Sequence, residues 1–170
     1  MCLLKHAGGA FTHRPEELKD RLSRRASDLV KKAFEDIEPA RLVDYHTHIA
    51  GTGAGDTDNL VNPKMLSWKH PLHHLKFAVY LSAAGVENLE RADAEAAARL
   101  VRLVENIEHH GKYRLLAFDK NYNRDGTVNL EKTEFYVPNE YVFSLAAAHP
   151  QLFEPVISVN PYRADAVEEL

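Results

Sequence analysis

The sequence predicts an α/β fold built from parallel βα units. Three observations predict it. Strand-like and helix-like segments alternate along the chain. The strand-like segments are short and separated by helix-like stretches or loops. The length of 170 residues suits one ordinary domain, or at most two small ones. Residues 1–40 read as an N-terminal extension with a helix. Residues 41–170 read as the βα units, with a helical insertion at about 60–110.

Taken in chain order, residues 1–14 carry little pattern. From Pro15, Leu18, Leu22, Ala26, Leu29 and Ala33 recur at spacings of four and three, which predicts an amphipathic helix ended by Pro39. Seven Lys and Arg residues between Arg14 and Lys32 stand beside Glu16, Glu17, Asp20 and Asp28, so its outer face reads as solvated mixed charge. Segment 41–49 is the first strand. Gly51, Gly53 and Gly55 then mark a loop. The insertion holds an apolar helix-like stretch at 72–84 and a clearer helix at 91–109. Leu89, Ala92, Ala96, Leu100, Leu103 and Ile107 form the stripe of the second, and His109-His110-Gly111 is its stop. Segment 113–119 is the second strand, followed by a polar loop at 120–126. Segment 138–148 is a helix with Pro138 near its first turn, stopped by His149-Pro150. Segment 154–159 is the third strand, closed by Asn160-Pro161, and 163–170 starts another helix. No internal repeat or low-complexity tract is present.

Composition narrows the function. Hydrophobic residues at 45% and charged residues at 27% exclude a mainly disordered chain. With 21 Lys+Arg against 25 Asp+Glu, the net charge of −4 argues against nucleic acid as the main partner, because duplex binding needs a basic excess. A single cysteine, Cys2, permits neither a disulfide framework nor a cysteine-based zinc site. No apolar run approaches the ~20 residues that cross a bilayer, and the opening MCLLKHAGG is too short for a secretory signal. The expected location is therefore cytoplasmic, and the expected partner is a small-molecule substrate rather than a membrane or nucleic acid. Ten histidines direct attention to metal-ligand spacing.

The informative segment is Asp44-Tyr45-His46-Thr47-His48. Side chains alternate across a strand, so His46 and His48 are expected on one face, where two imidazoles can converge on one divalent cation. The same alternation places Asp44 on that face and sends Val43, Tyr45, Thr47 and Ile49 to the other, against covering helices. Three ionisable groups on one face make poor core, and a metal supplies the partner they need. The pair ends a strand and precedes a glycine-rich turn, and parallel α/β folds form their sites at the carboxyl ends of strands.

This segment resembles the His-x-His signature of the amidohydrolase superfamily, metal-dependent (β/α)₈ barrels whose first strand ends in that pair. The stretch from Asn139 through His149-Pro150 to the Val156-Ile-Ser-Val-Asn-Pro-Tyr162 turn and Leu170 resembles the amidohydrolase-2 branch. The likeness covers about residues 41–50 and 113–170. It implies metal roles for His46 and His48, typically with zinc. It implies hydrolysis of a C–N or C–O bond, or decarboxylation. It also implies that the remaining ligands and the proton-handling aspartate come from later strands. Asp44 is then expected to orient a histidine rather than to act as the base. A full barrel needs ~250 residues and must close its edges. The sequence therefore reads as about the first three βα units of a partial TIM-type barrel, a fragment expected to be inactive alone. It is expected to self-associate or to pair with the missing barrel portion.

In that frame, Lys120, Tyr122 and Arg124 after the second strand, and Asn160 and Tyr162 after the third, are candidate substrate-binding residues. Arg124 suits a carboxylate through paired hydrogen bonds. His70, His73 and His74 have helical His spacing but no intervening Glu of a His-Glu-x-x-His site. The loop at 51–55 lacks the Gly-Lys-Ser/Thr ending of a phosphate loop. Two other readings stay open. One is a phosphoesterase of the polymerase-and-histidinol-phosphatase type, which also opens with Asp-x-His-x-His but continues differently from Ala50-Gly-Thr-Gly53. The other is a non-catalytic α/β binding module.

Overall fold

The computed structural model describes residues 13–170. Most of the expected N-terminal end, and Cys2 with it, lies outside the described residues. The chain forms a mixed α/β fold around a three-stranded parallel sheet, as the alternation predicts.

The N-terminal helix is shorter than its stripe predicts. Two 3₁₀ turns, Pro15–Glu17 and Lys19–Arg21, come first, and Leu22 and Ser23 are extended. The α-helix α1 (Arg24–Phe34) begins only where the Ser23 hydroxyl accepts the Ala26 N–H at 3.2 Å. No residue of α1 is buried, and Leu29 is 61% exposed, so the stripe is present but unpacked. The extension is nevertheless tied to the domain. Pro15 is buried, and Glu16 lies 3.9 Å from Arg102.

Strand β1 (Val43–His48) is followed by β2 (Leu60–Val61), the single-turn helix α2 (Pro63–Leu66) and α3 (Pro71–Ala83). Helix α3 starts on Pro71, whose missing N–H is harmless in a first turn, and stops at Gly85 with φ +68°. Next come α4 (Ala92–Glu105) and β3 (Lys112–Leu116). Helix α4 ends four residues before the expected histidine stop, because Asn106 folds its amide back onto the Arg102 carbonyl at 2.8 Å. Strand β4 (Phe135–Tyr136), α5 (Asn139–Ala148), β5 (Phe153–Val156) and the one-turn α6 (Ala166–Glu169) complete the order. The helix expected over 163–170 is confined to α6.

The sheet order is β1-β3-β5, all parallel. Strand β5 lies at an edge, where Pro155 is tolerated. Leu115, Ala117 and Phe153 face a core shared with Ile49, Val104, Val142 and Ala146. Gly111 lets the chain enter β3 beside β1: its φ is +64°, and a Cβ there would stand 2.3 Å from the Leu42 carbonyl oxygen. The short antiparallel pair β2–β4 was not expected; it ties the insertion to the segment after β3. Asn62 fastens the same junction through 2.8 Å bonds to the Leu130 and Thr133 carbonyls.

Candidate metal centre

His46 and His48 converge. Their Nε2 atoms are 3.1 Å apart, and their rings meet edge to face with centroids 4.7 Å apart. The His48 ring also stands edge-on to Phe118, at 5.7 Å. Burial, helped by the positive charge of His46, holds the His48 imidazole below its usual range, which favours the neutral form that binds cations.

Simple alternation does not bring them there. Three steps along β1, from Asp44 to Thr47, match two along β3, from Tyr113 to Leu115, so β1 carries a bulge. The bulge turns Tyr45 out of its expected place against the helices. It is 63% exposed and lies beneath the Arg114 guanidinium, 4.5 Å from its ring centre. Arg114 in turn approaches Glu154 at 3.5 Å. The pairing of Asp44 with Tyr113 and of Thr47 with Leu115 puts Asp44 on the same side of the sheet as Tyr113, exposed and apart from the imidazoles. Its Oδ1 accepts the His46 backbone N–H at 2.9 Å, an i to i+2 bond that braces the bulge. Asp44 thus holds the backbone of the pair, and no bond joins it to either ring among the described contacts.

Two imidazole nitrogens bound tetrahedrally to one zinc at ~2.0–2.1 Å stand ~3.3 Å apart. The observed 3.1 Å lies within a few tenths of that, so the pair fits half of such a shell. The same separation suits an N–H···N hydrogen bond between neutral imidazoles. Among the described residues no group of three or more His, Cys, Asp or Glu side chains converges on one point.

The expected substrate residues divide. Lys120 and Asn160 meet around a residue that the motif reading passed over, Asp119, whose side chain is 4% exposed. Asp119 accepts the Lys120 N–H and the Asn160 N–H, both at 2.7 Å, and Asn160 Nδ2 donates to the Lys120 carbonyl at 3.1 Å. The Lys120 ammonium sits 4.2 Å above the Tyr136 ring. Tyr162 stays exposed, its N–H donating to Asn160 Oδ1. The Tyr122 hydroxyl is pushed up by burial and by the charge of Asp119. Arg124 is exposed in the turn closed by the Tyr122–Val128 bridge and is not drawn into this cluster.

Arg163, also unforeseen, ties the cluster together. It grips Asp165 with two bonds of 2.8 and 2.9 Å, Glu169 at 3.0 Å and Asp119 at 3.4 Å. The Asp165 bonds, with Asp119 and Glu169 behind them, raise its guanidinium further above its ordinary range. Asn139 bridges the same region, donating to Glu169 at 2.6 Å and accepting the Ser158 N–H at 2.9 Å. The available signal for Asp119 was an acidic residue ending a predicted strand; Arg163 had none.

The glycine loop is claimed by a second unforeseen carboxylate. Asp93, in the first turn of α4, is fully buried. It accepts the Thr52 N–H, the Thr52 hydroxyl at 3.0 Å, the Gly53 N–H at 3.2 Å, the Thr57 hydroxyl and the Asn59 amide at 2.8 Å. Burial pushes this carboxyl up, but the donors from Thr52, Thr57 and Asn59 outweigh it and hold it below the usual range. The loop's N–H groups therefore serve an internal anion, in keeping with the rejected phosphate-loop reading. Of the insertion histidines, His74 packs against Trp68 with centroids 4.1 Å apart, and its Nδ1 lies 3.1 Å from the Met65 carbonyl.

No described helix is long and apolar enough to cross a membrane. No protein-family model matches this chain, and neither a curated protein nor a solved structure matches it significantly.

Proposed function

We propose that His46 and His48 are metal ligands of a metal-dependent hydrolase of amidohydrolase type, with zinc as the cation. The observation that carries this reading is the 3.1 Å approach of their Nε2 atoms at the carboxyl end of a parallel strand. Two neutral imidazoles suit a borderline-soft divalent ion. Such an ion lowers the pKa of water toward neutrality and polarises a carbonyl oxygen. That chemistry serves hydrolysis of a C–N or C–O bond, or decarboxylation.

The chain's own residues supply positioning. Asp44 braces the bulge that aims the rings. Asp119 and Arg163 fix the segments after β3 and β5, which carry Lys120, Tyr122, Asn160 and Tyr162 as substrate contacts at the same end of the sheet, while Arg124 stays outside the cluster in its exposed turn. No general base is assigned within the chain. Two donors leave the metal shell incomplete. One face of the parallel sheet is also half open, carrying Tyr45, His46, His48, Arg114, Phe118 and Glu154. Parallel sheets ordinarily have both faces covered. Both features favour a partial (β/α)₈ barrel completed by further strands, from a longer chain or a second copy. The shortage of donors is also what favours the competing reading, a binding module without catalysis.

Metal analysis of the purified chain tests the proposal. About one zinc per chain is expected, lost in the His46→Ala and His48→Ala variants with the circular dichroism spectrum retained. A folded chain that takes up no zinc would overturn it.

A further inference from the structure

Among the described residues, α1 is a helix of 11 residues along which no other element packs. Its apolar stripe would suit a core. Yet Leu22 just before it, Leu29 and Val30 on it and Ile37 just after it stand 40% to 61% exposed. Of the large apolar side chains on the helix only Phe34 is half-buried. Single exposed apolar residues are ordinary, but several gathered on one helix face mark a contact surface.

The placing of charge on α1 identifies what that surface meets. At about 100° per residue, Ala26, Leu29, Val30, Ala33 and Phe34 share one arc of about 140°. Arg25 and Lys32 stand together beside one edge of the arc, and Arg24 and Lys31 lie towards the other. Asp28 and the following Glu35 fall between the two pairs, opposite the apolar arc. Helix α1 thus carries four cations against one anion, in a chain whose net charge is −4. Among the described contacts none of the four is paired with a carboxylate. Cations flanking an apolar arc, with acids on the far side, match a bilayer surface. The apolar side chains enter the acyl boundary, the Arg and Lys stems run up to the lipid phosphates, and the acids stay in water. A second copy fits less well, because an 11-residue helix falls short of the about 20–30 residues a side of a stable interface.

We propose that α1 lies flat on an anionic lipid surface, its apolar arc inserted and Arg24, Arg25, Lys31 and Lys32 set against the headgroup phosphates. The contact is peripheral: 11 residues make about 16 Å of helix, half of the ~30 Å hydrocarbon thickness. No residue of α1 is buried, so the helix can turn to lipid without opening the core. Buried Pro15 and the approach of Glu16 to Arg102 keep the extension on the domain, so the helix would tether the sheet to the surface. This inference stands apart from the metal reading and needs no zinc.

The test is flotation of the full chain with vesicles of phosphatidylcholine and phosphatidylserine at about 7:3, and with phosphatidylcholine alone. Binding to the anionic vesicles should be stronger by about 10-fold or more, and raising the salt from about 50 to about 500 mM should release the chain. Leu29→Gln should weaken binding about 10-fold by removing inserted apolar surface. Arg25→Gln with Lys32→Gln should weaken it about 25-fold, because each cation near an anionic surface contributes about fivefold. Glutamine is a good helix former, so the circular dichroism spectrum should be retained. The cation variant keeps every apolar side chain and reads the charge contribution even if Leu29→Gln unfolds. A chain that stays off the anionic vesicles, or binds neutral ones equally well, would overturn the inference, as would undiminished binding by the folded variants. If the chain ignores lipid and Leu29→Gln instead lowers its mass in light scattering, the face joins two copies and the lipid assignment falls.

Discussion

Replacing Asp93 by Ala removes the acceptor of the Thr52 N–H and hydroxyl, the Gly53 N–H, the Thr57 hydroxyl and the Asn59 amide at once. A hydrogen bond to a charged group contributes about 1.5–3 kcal/mol, but donors that share one carboxylate are not additive, and water enters a partly open loop. Two backbone N–H groups and one buried amide left without their acceptor set the expected loss at about 3–5 kcal/mol. That is a large part of the ~5–15 kcal/mol that keeps a domain folded. Urea unfolding followed by circular dichroism measures it, as does a fall in Tm of ~6–20 °C. Hydrogen exchange at Thr52 and Gly53 should accelerate even under native conditions. Asp93→Asn keeps the shape and one acceptor, and should lose about half as much. A loss below about 1 kcal/mol for the Ala variant would refute the claim that this carboxylate closes the glycine loop.

The depressed carboxyl of Asp93 makes a pH prediction: its contribution is full above the unfolded carboxylate value near 3.9 and is lost as pH falls through its lower folded value. Urea midpoints between pH 2 and 5 should therefore fall less steeply in Asp93→Asn than in the parent, and parallel curves would contradict this. Gly111→Ala meets both a positive φ and the Leu42 carbonyl, and should cost about 2–4 kcal/mol in the same unfolding assay; an unchanged midpoint would show that the close β1–β3 approach is not strict. The half-open sheet face and exposed Trp68, Leu72 and Val167 should drive association at micromolar concentration, read as a mass above 19.2 kDa by light scattering, whereas a monodisperse monomer with cooperative melting would count against it.

Local periodicity reaches far in this chain. The alternation of β1, β3 and β5 with α3, α4 and α5 is legible because strand and helix periods depend on neighbours a few residues apart. The presence of His46 and His48 two apart at a strand end is legible in the same way, whereas the convergence of their rings depends on the bulge against β3. Leu29 shows the limit: its helical spacing is sound, yet it stands 61% exposed, so a stripe records amphipathicity and not burial.

What the sequence determined by itself is the order of the main parallel strands and longer helices and the residue types offered at the carboxyl end of β1. The tertiary structure alone decided which residues face which way. The bulge arises from a mismatch with β3, and it moves Tyr45 and Asp44 off the faces that strict alternation assigns. Asp93 reaches the glycine loop across 41 positions, and Asp119 reaches Asn160 across 41. Such pairings are set by chain closure around a shared core, and their energy appears only when distant donors are brought together and dried. No local window contains both partners, so no local pattern can announce them.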